Sequence, residues 1–554
     1  MTRTSIVAAV AAAVLLAGCG KANVAGGAAG NPWTQPGVLR FGENQDIKTL
    51  NPVLGANATV GDLSMFIYSY AIRYDDKGQP VPDALTEVPT VANGDVSKDG
   101  LTLKYKLRRD ITFQDGVKLT CADLKFTWQV VVNPHNNVAA TDGYRDIKDI
   151  DCSDPYVAVV HMKRVYAPYL QQLWGVNGNA TILPEHLLAK YNDDKGSFNS
   201  ASYNAMPIGS GPFKVVQWAR GDHVTLEAYP GYFRGKPGLN EVIYKIMPDE
   251  NTLLTAVQTH SIDMLARGTA INWLRYRALG ADPTSGLTTI RVNSFTYDHI
   301  DFNLKSGALP IRDVQVRRAI AYATNRAEII AKVLHGSAIS AETNYHPTLS
   351  WARTTDTVHY PFSIEKAKQI LDADGWKVGP DGVRTKDGQR LEFLLSTQTE
   401  STGGQRLQAL LQREWRNAGI QADIKNFPTA TMFENGSVGI LEGGHYDVAI
   451  YAWVSASDPD DSALYAIHNF GPVGQNTLFW ANAKVDAAEA DALSTVNVAR
   501  RKADYKIVQQ QLMLDVPTIV IAFRKEIYVY NTDLKNFKPS PVISPFWNPW
   551  EYKI

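Results

Sequence analysis

Cysteine is scarce in this sequence, with 3 in 554 residues. None belongs to a C-x-x-C pair and no H-x-x-H accompanies them, which removes the usual spacing of a structural zinc site. No G-x-x-x-x-G-K-[ST] loop for a nucleoside triphosphate is present. The nearest approach to a G-x-S-x-G nucleophile elbow, Gly209-Ser210-Gly211, carries Ile208 where a glycine belongs. Charge of one sign is not in excess either: Lys+Arg number 55 against 56 Asp+Glu, a net charge of −1. No global field therefore draws the chain to nucleic acid or to an acidic membrane, and a small ligand is the expected partner.

What the chain does have begins at its N-terminus. Arg3 precedes an apolar stretch from Ile6 to Ala17, too short to anchor by spanning a bilayer and laid out as a secretory signal. Leu16-Ala17-Gly18-Cys19 follows and resembles the lipobox of bacterial lipoproteins, in which the cysteine is acylated and becomes the mature N-terminus. That resemblance implies a signal peptide over 1–18, a Gly/Ala-rich tether over 19–37 with Cys19 as the lipidation site, and a periplasmic or cell-envelope location at a membrane. With Cys19 so used, Cys121 and Cys152 remain, either as a disulfide in an oxidising compartment or as two buried thiols.

The length calls for two or three domains. Val38–Gly42 reads as a first strand, Val60–Ile72 as a helix, and Leu101–Leu107 as a half-buried strand by its period-2 alternation. Thr120 is placed to cap a helix from Cys121 to Val131, with Asp123 in its first turn. Tyr156–Met162 and Val224–Tyr229 read as strands and Pro248–Ile262 as a helix. A third block starts near Ile300, with helical periodicity over Asp313–Leu334, Ile364–Leu371 and Leu407–Ala418, and strands at Phe393–Ser396 and Val448–Trp453. Pro517–Tyr530 is strand-like. Between them, Pro207-Ile208-Gly209-Ser210-Gly211-Pro212-Phe213 is a rigid corner: prolines fix φ and glycines permit positive φ or close backbone approach.

Several segments in order resemble the extracytoplasmic solute-binding proteins of the dipeptide/oligopeptide type, family 5, that feed ABC importers. They are Leu50-Asn51-Pro52; Pro82 to Leu85; Leu107 to Gly116 with Ala122 to Trp128; the Pro207–Phe213 corner; Phe302-Asn303; Asp313 with Val316-Arg317 and Asn325-Arg326; and Gly375-Trp376. The resemblance implies an α/β (mixed α+β) bilobed fold of the periplasmic-binding-protein type, with an additional domain and lobes joined by a hinge. Domain I would be 38–58, 175–295 and 518–554, domain II 59–174 and domain III 296–517. It implies a monomer that traps a small solute, most simply a peptide, and delivers it to the transmembrane subunits of an ABC permease, with no cofactor, no metal and no catalysis. The corner Gly209, Ser210, Gly211, Pro212 would lie near hinge and cleft.

The ligand segment implied by the resemblance is Tyr451, Ala452, Trp453, Val454, Ser455 and Asp458. There a strand runs into the cleft, its backbone pairs with an extended peptide, and a carboxylate after the Trp holds the peptide's ammonium group. The position three after Trp453 is Ala456 rather than Asp, so Asp458 is the substitute, or the ligand is a neutral solute such as an oligosaccharide. Trp453 also suits a core, and Asp458 before Pro459 a turn. A membrane-anchored extracytoplasmic hydrolase is the reading from a different class.

Overall fold

The computed structural model describes residues 30–554, apart from 44, 56–57, 177–179, 269–272, 435, 473 and 543. Cys19, the signal stretch and most of the tether lie outside the described residues.

A single twisted sheet runs through the molecule. Its strands follow the order Gln421–Ile424, Glu392–Ser396, Val448–Val454, Leu287–Phe302, Thr518–Asn531, Met264–Gly268, Val38–Glu43, Glu241–Ile246, His223–Ala228, Phe213–Ala219. Each end of this sheet has its own core. Leu39, Phe41, Phe66, Tyr105, Trp174, Phe213 and Tyr244 belong to one, and Ile300, Phe302, Ile320, Leu395, Leu411, Trp415 and Ile521 to the other.

Two strands belong to both. Leu287–Phe302 gives Phe295 to the first core and Ile300 to the second, while Thr518–Asn531 gives Ile519 to the second and Tyr528 to the first. They pair antiparallel, and their register shifts between Asn293 and Tyr297 and again between Asp298 and His299. Irregular pairing at the crossing gives a bend where two separately packed bodies meet. The sequence reading began the second body near Ile300 and missed that one strand of 16 residues serves both.

The first lobe carries an extra three-stranded sheet of Thr102–Lys106, Ile147–Asp154 and Val157–Met162. Helix Cys121–Val132 packs on it, starting at Thr120, whose N–H donates to Asp123 Oδ2 at 2.8 Å. A disulfide joins Cys121 to Cys152, with Cα atoms 5.6 Å apart.

The helix expected over Pro248–Ile262 is the shorter Glu250–Gln258, and three others also differ from expectation. The helix expected over Val60–Ile72 is Ala58–Ile67, and Ile72–Tyr74 is already a strand. Asp313–Leu334 divides into Val314–Tyr322 and Arg326–Lys332, because the Asn325 side chain accepts from Glu328 N–H at 3.1 Å and starts a new helix. The helix expected from Leu407 begins at Thr402, since Ser401 Oγ caps Gly404 N–H at 3.1 Å; Gly403 and Gly404 hide this first turn from a propensity reading.

The corner at Pro207–Phe213 lies inside the first lobe. Gly211 N–H donates to Ile67 O at 2.9 Å, and Gln114 receives Gly209 N–H at 3.0 Å while donating to Phe213 O at 2.7 Å. A Cβ on Gly209 would stand 2.0 Å from Ile67 O. Gly209, Ser210, Gly211 and Pro212 are buried, and they lock the end of a helix to the loop at Gln114. The strands that cross between the lobes are the two long ones, Leu287–Phe302 and Thr518–Asn531, and the contacts of the corner are with Ile67 and Gln114.

Candidate functional site

The cleft lies where the lobes face each other. Tyr74, Tyr169 and Gln171 of the first lobe and Trp351, Asp458 and Arg501 of the second line a cavity of about 270 Å³. Ser457 Oγ donates to Gln171 Oε1 across this seam. Burial pushes the Tyr169 hydroxyl up to about 12, so it stays a neutral donor at working pH.

Strand Val448–Val454 enters the cleft with one edge open. It pairs antiparallel with Leu287–Phe302, Trp453 opposite Tyr297 and Tyr451 opposite His299. The phase of that ladder is set at its ends, where Asn303 N–H donates to Asp447 O at 2.9 Å and Ser455 N–H to Phe295 O at 3.0 Å. Bonded pairs alternate with non-bonded ones. The odd-numbered residues Tyr451 and Trp453 therefore spend their backbone groups on this neighbour, and Ala452 and Val454 turn theirs to the opposite edge. On that edge the parallel strand Glu392–Ser396 reaches only Val448 and Ala449. A short extended chain can complete the sheet there.

The side chains divide by the same parity. Ile450 and Ala452 face the helix-covered side, where a cavity of about 430 Å³ is lined by Leu334, Thr397, Leu407, Phe433 and the N-terminal turn at Gly403 and Gly404. At its base Arg524 holds Asp298 in a two-point contact of 2.9 and 2.5 Å. On the other side, Trp453 covers a cavity of about 140 Å³ and one of about 20 Å³. The smaller is lined by His299, Asp301 and Tyr451, with Tyr451 Oη donating to Asp301 Oδ2 at 2.5 Å and His299 Nε2 3.3 Å from the same oxygen.

The expected ligand residues are thus gathered in one place with unequal roles. Ala452 and Val454 offer backbone, and Trp453 lines the cavities beside it. Tyr451 is committed inward to Asp301. Ser455 is tied to Phe295 O through both its N–H and its Oγ, the latter at 3.1 Å. Asp458 is not free: Arg501 Nη2 meets its Oδ1 at 2.6 Å, with 7% and 10% of the two side chains exposed. The ammonium-anchoring role expected of Asp458 is taken from within the chain.

Sequence reasoning missed Arg501, Asp460, Asp461, Asn344 and Glu489. Asp461 accepts from Asn344 Nδ2 at 2.8 Å, and burial pushes its carboxyl and that of neighbouring Glu489 upward. Burial, with the charges of Asp458 and Asp461, raises Asp460 to about 6. The run Asp458-Pro459-Asp460-Asp461 was the available signal. Asn344 and Glu489 are distant in sequence and gave none. Among the described residues no group of three or more His, Cys, Asp and Glu is placed to hold a metal ion, and no helix is long and apolar enough to cross a membrane.

Two cores joined by two crossing strands, with an open strand edge between them, define a bilobed binding protein. Known proteins agree: a sequence profile for bacterial extracellular solute-binding proteins, family 5 Middle, matches residues 79–474, more than half of the chain. The chain belongs to this family, whose members are the solute-binding components of ABC importers and are binding proteins rather than enzymes. It is 25% identical over 521 residues to the oligopeptide-binding protein AppA of Bacillus subtilis, covering 93% of this chain and 91% of that one. It is 26% identical over 505 residues to the glutathione-binding protein GsiB of Salmonella choleraesuis, covering 90% and 91%. Among solved structures, NikZ from Campylobacter jejuni in complex with Ni(L-His) matches with a TM-score of 0.75 at 26% identity, covering 94% of this chain and all of that one.

Proposed function

We propose that this protein captures an extended peptide in the cleft between its lobes and presents it to an ABC permease, as a monomer held at the membrane through a lipid on Cys19. The observation that carries the peptide reading is the open edge at Ala452 and Val454. Main-chain groups there bind any extended backbone, while cavities on both faces of the strand receive alternate side chains. The oligopeptide- and glutathione-binding relatives support the same class of ligand. The Ni(L-His) complex of a structural neighbour marks how far cargo varies on this fold.

In this reading residues 1–18 are the signal peptide and 19–37 the tether. Domain I is 38–58, 175–295 and 518–554, domain II 59–174 and domain III 296–517. Closure brings Ser457 to Gln171, and the ligand supplies the contacts that hold the lobes together.

The test is mass spectrometry of whatever leaves the purified protein, expressed from Gly20 onward, on denaturation. A ladder of short peptides is expected. A single sugar or other neutral compound would replace the peptide reading by the oligosaccharide one. Lipidation is read separately, from the mass of the N-terminal fragment of the full chain made in a bacterial host.

A further inference from the structure

The cavity of about 140 Å³ behind Trp453 has a one-sided chemistry. Asp460 and Asp461 line it, no Lys or Arg among the described residues does, and Asp458, which also lines it, is already paired with Arg501. Asp460 Oδ1 accepts the N–H and Oγ–H of Ser462 at 3.1 and 2.7 Å, neither of which carries charge. Asn344 also lines the cavity and is 5% exposed. Its amide nitrogen donates to Asp461 Oδ2 at 2.8 Å, and Asn344 Oδ1 has no hydrogen-bond partner among the described residues. The buried unfilled polar atom here, Asn344 Oδ1, is an acceptor, and Trp453, Tyr345 and Leu464 form aromatic and aliphatic walls.

A neutral ligand would satisfy Asn344 Oδ1 but leave the carboxylate charge uncompensated in a poorly solvated site. A cation answers both, and aromatic walls favour it further. We infer that this cavity receives a basic side chain of the ligand, an alkylammonium or guanidinium group, and that the protein selects peptides carrying Lys or Arg. The inference rests on the peptide reading above. A side chain is favoured over the amino terminus because a strand paired on the Ala452 edge sends its side chains perpendicular to the sheet, toward Trp453's face, whereas its terminus lies in line with the edge.

The experiment uses calorimetry on the mature chain with Ala-Ala-Arg-Ala-Ala, the same peptide with citrulline for arginine, an N-acetylated form of each, and butylguanidinium chloride alone. Arginine is expected to bind about tenfold or more tighter than citrulline, acetylated or not, from one charge-assisted hydrogen bond of about 1.5 kcal/mol or more. That preference should vanish in both Asp460→Asn and Asn344→Leu, two variants so that misfolding of one does not decide the matter. Equal affinity for arginine and citrulline peptides overturns the cavity's assignment and leaves the peptide reading standing. A preference for the free over the acetylated terminus, without an arginine preference, also overturns it, by giving the cation to the terminus. Butylguanidinium binding with no peptide binding keeps the cation cavity and overturns the peptide reading. Binding of neither overturns both.

Discussion

Arg501 Nη2 and Asp458 Oδ1 lie 2.6 Å apart at the lip of the cleft, both nearly out of solvent, and Arg501 also meets Tyr505 Oη at 3.0 Å. Removing one member of a buried pair leaves the other charge uncompensated, at a cost of about 3–5 kcal/mol. Asp458→Asn is therefore expected to lower the denaturant midpoint clearly while the folded fraction still binds ligand. If Asp458 instead held the ligand, the midpoint would stay and affinity would drop by about 1.5–3 kcal/mol.

The Cys121–Cys152 bridge ties the first turn of a helix to a strand and closes a separation of 31 residues. A cross-link of this span typically contributes about 2–4 kcal/mol. The chain from Gly20 onward should titrate no thiol in denaturant, and the double variant Cys121→Ser/Cys152→Ser should lose stability by that order. Two reactive thiols in the unreduced protein would contradict the bridge.

Much of the architecture was legible because local and long-range signals agreed. Thr120 and Asp123 mark a helix start that tertiary contacts reinforce, and the strand at Val448 reads the same in pattern and in structure. The crossing strand Leu287–Phe302 was not legible: its period-2 signal breaks at the register shifts and its two halves are buried in different cores. Within the site the open edge followed from the resemblance. The fate of Asp458 did not, since Arg501 is 43 residues away in sequence and only packing brings it near.

Gly209 and Gly211 have no room for a side chain, since added Cβ atoms would lie 2.0 Å from Ile67 O and 2.5 Å from Ile67 C. Because the obstruction is backbone, relief requires moving a helix end, and overpacking of this kind costs about 1–3 kcal/mol or more. Gly209→Ala should destabilise the first lobe by at least that much. Ser210→Ala should cost only about 1 kcal/mol, for the 3.3 Å bond its Oγ receives from Ser69 N–H. Circular dichroism melts of the two variants separate these cases, and similar losses would refute the close-approach account.

Affinity for a basic peptide should depend on pH through Asp460. Its folded-state pKa of about 6 lies above the ordinary value, set by burial and the neighbouring carboxylates. Asp458, paired with Arg501, faces it together with Asp461 and Glu489, whose carboxyls burial pushes upward, and Tyr166 stays neutral because burial raises it. A bound cation favours the ionised form, so binding releases a proton and weakens as pH falls below about 6, by at most tenfold per unit. Calorimetry at pH 7.5 and pH 5 should show the fall for the arginine peptide and not in Asp460→Asn. A pH-independent wild type would remove Asp460 from the site.

His346 packs against both crossing strands, stacked on Phe295 at 4.3 Å and edge-on to Phe523 at 4.8 Å. Its Nδ1 is 2.9 Å from Thr348 Oγ1, and its Nε2 has no partner among the described residues. Burial, then the charge of Arg353, pushes the imidazole down to about 4. The folded state therefore holds a neutral ring while the unfolded chain takes up a proton near its ordinary value of about 6.5. Stability from this group is present at pH 7.5 and is lost as pH falls from about 6.5 toward 4, by on the order of 2–3 kcal/mol. Asp460 acts in the opposite direction over part of this range, so the contribution is read as a difference between variants. Denaturant midpoints of the wild type and His346→Phe, compared at pH 7.5 and pH 4.5, should show the wild type losing ground to the variant at the acid end, because only the wild-type unfolded chain takes up a proton that the folded site between Phe295 and Phe523 refuses. Parallel pH profiles would mean that His346 binds a proton in the folded protein as readily as in the unfolded chain.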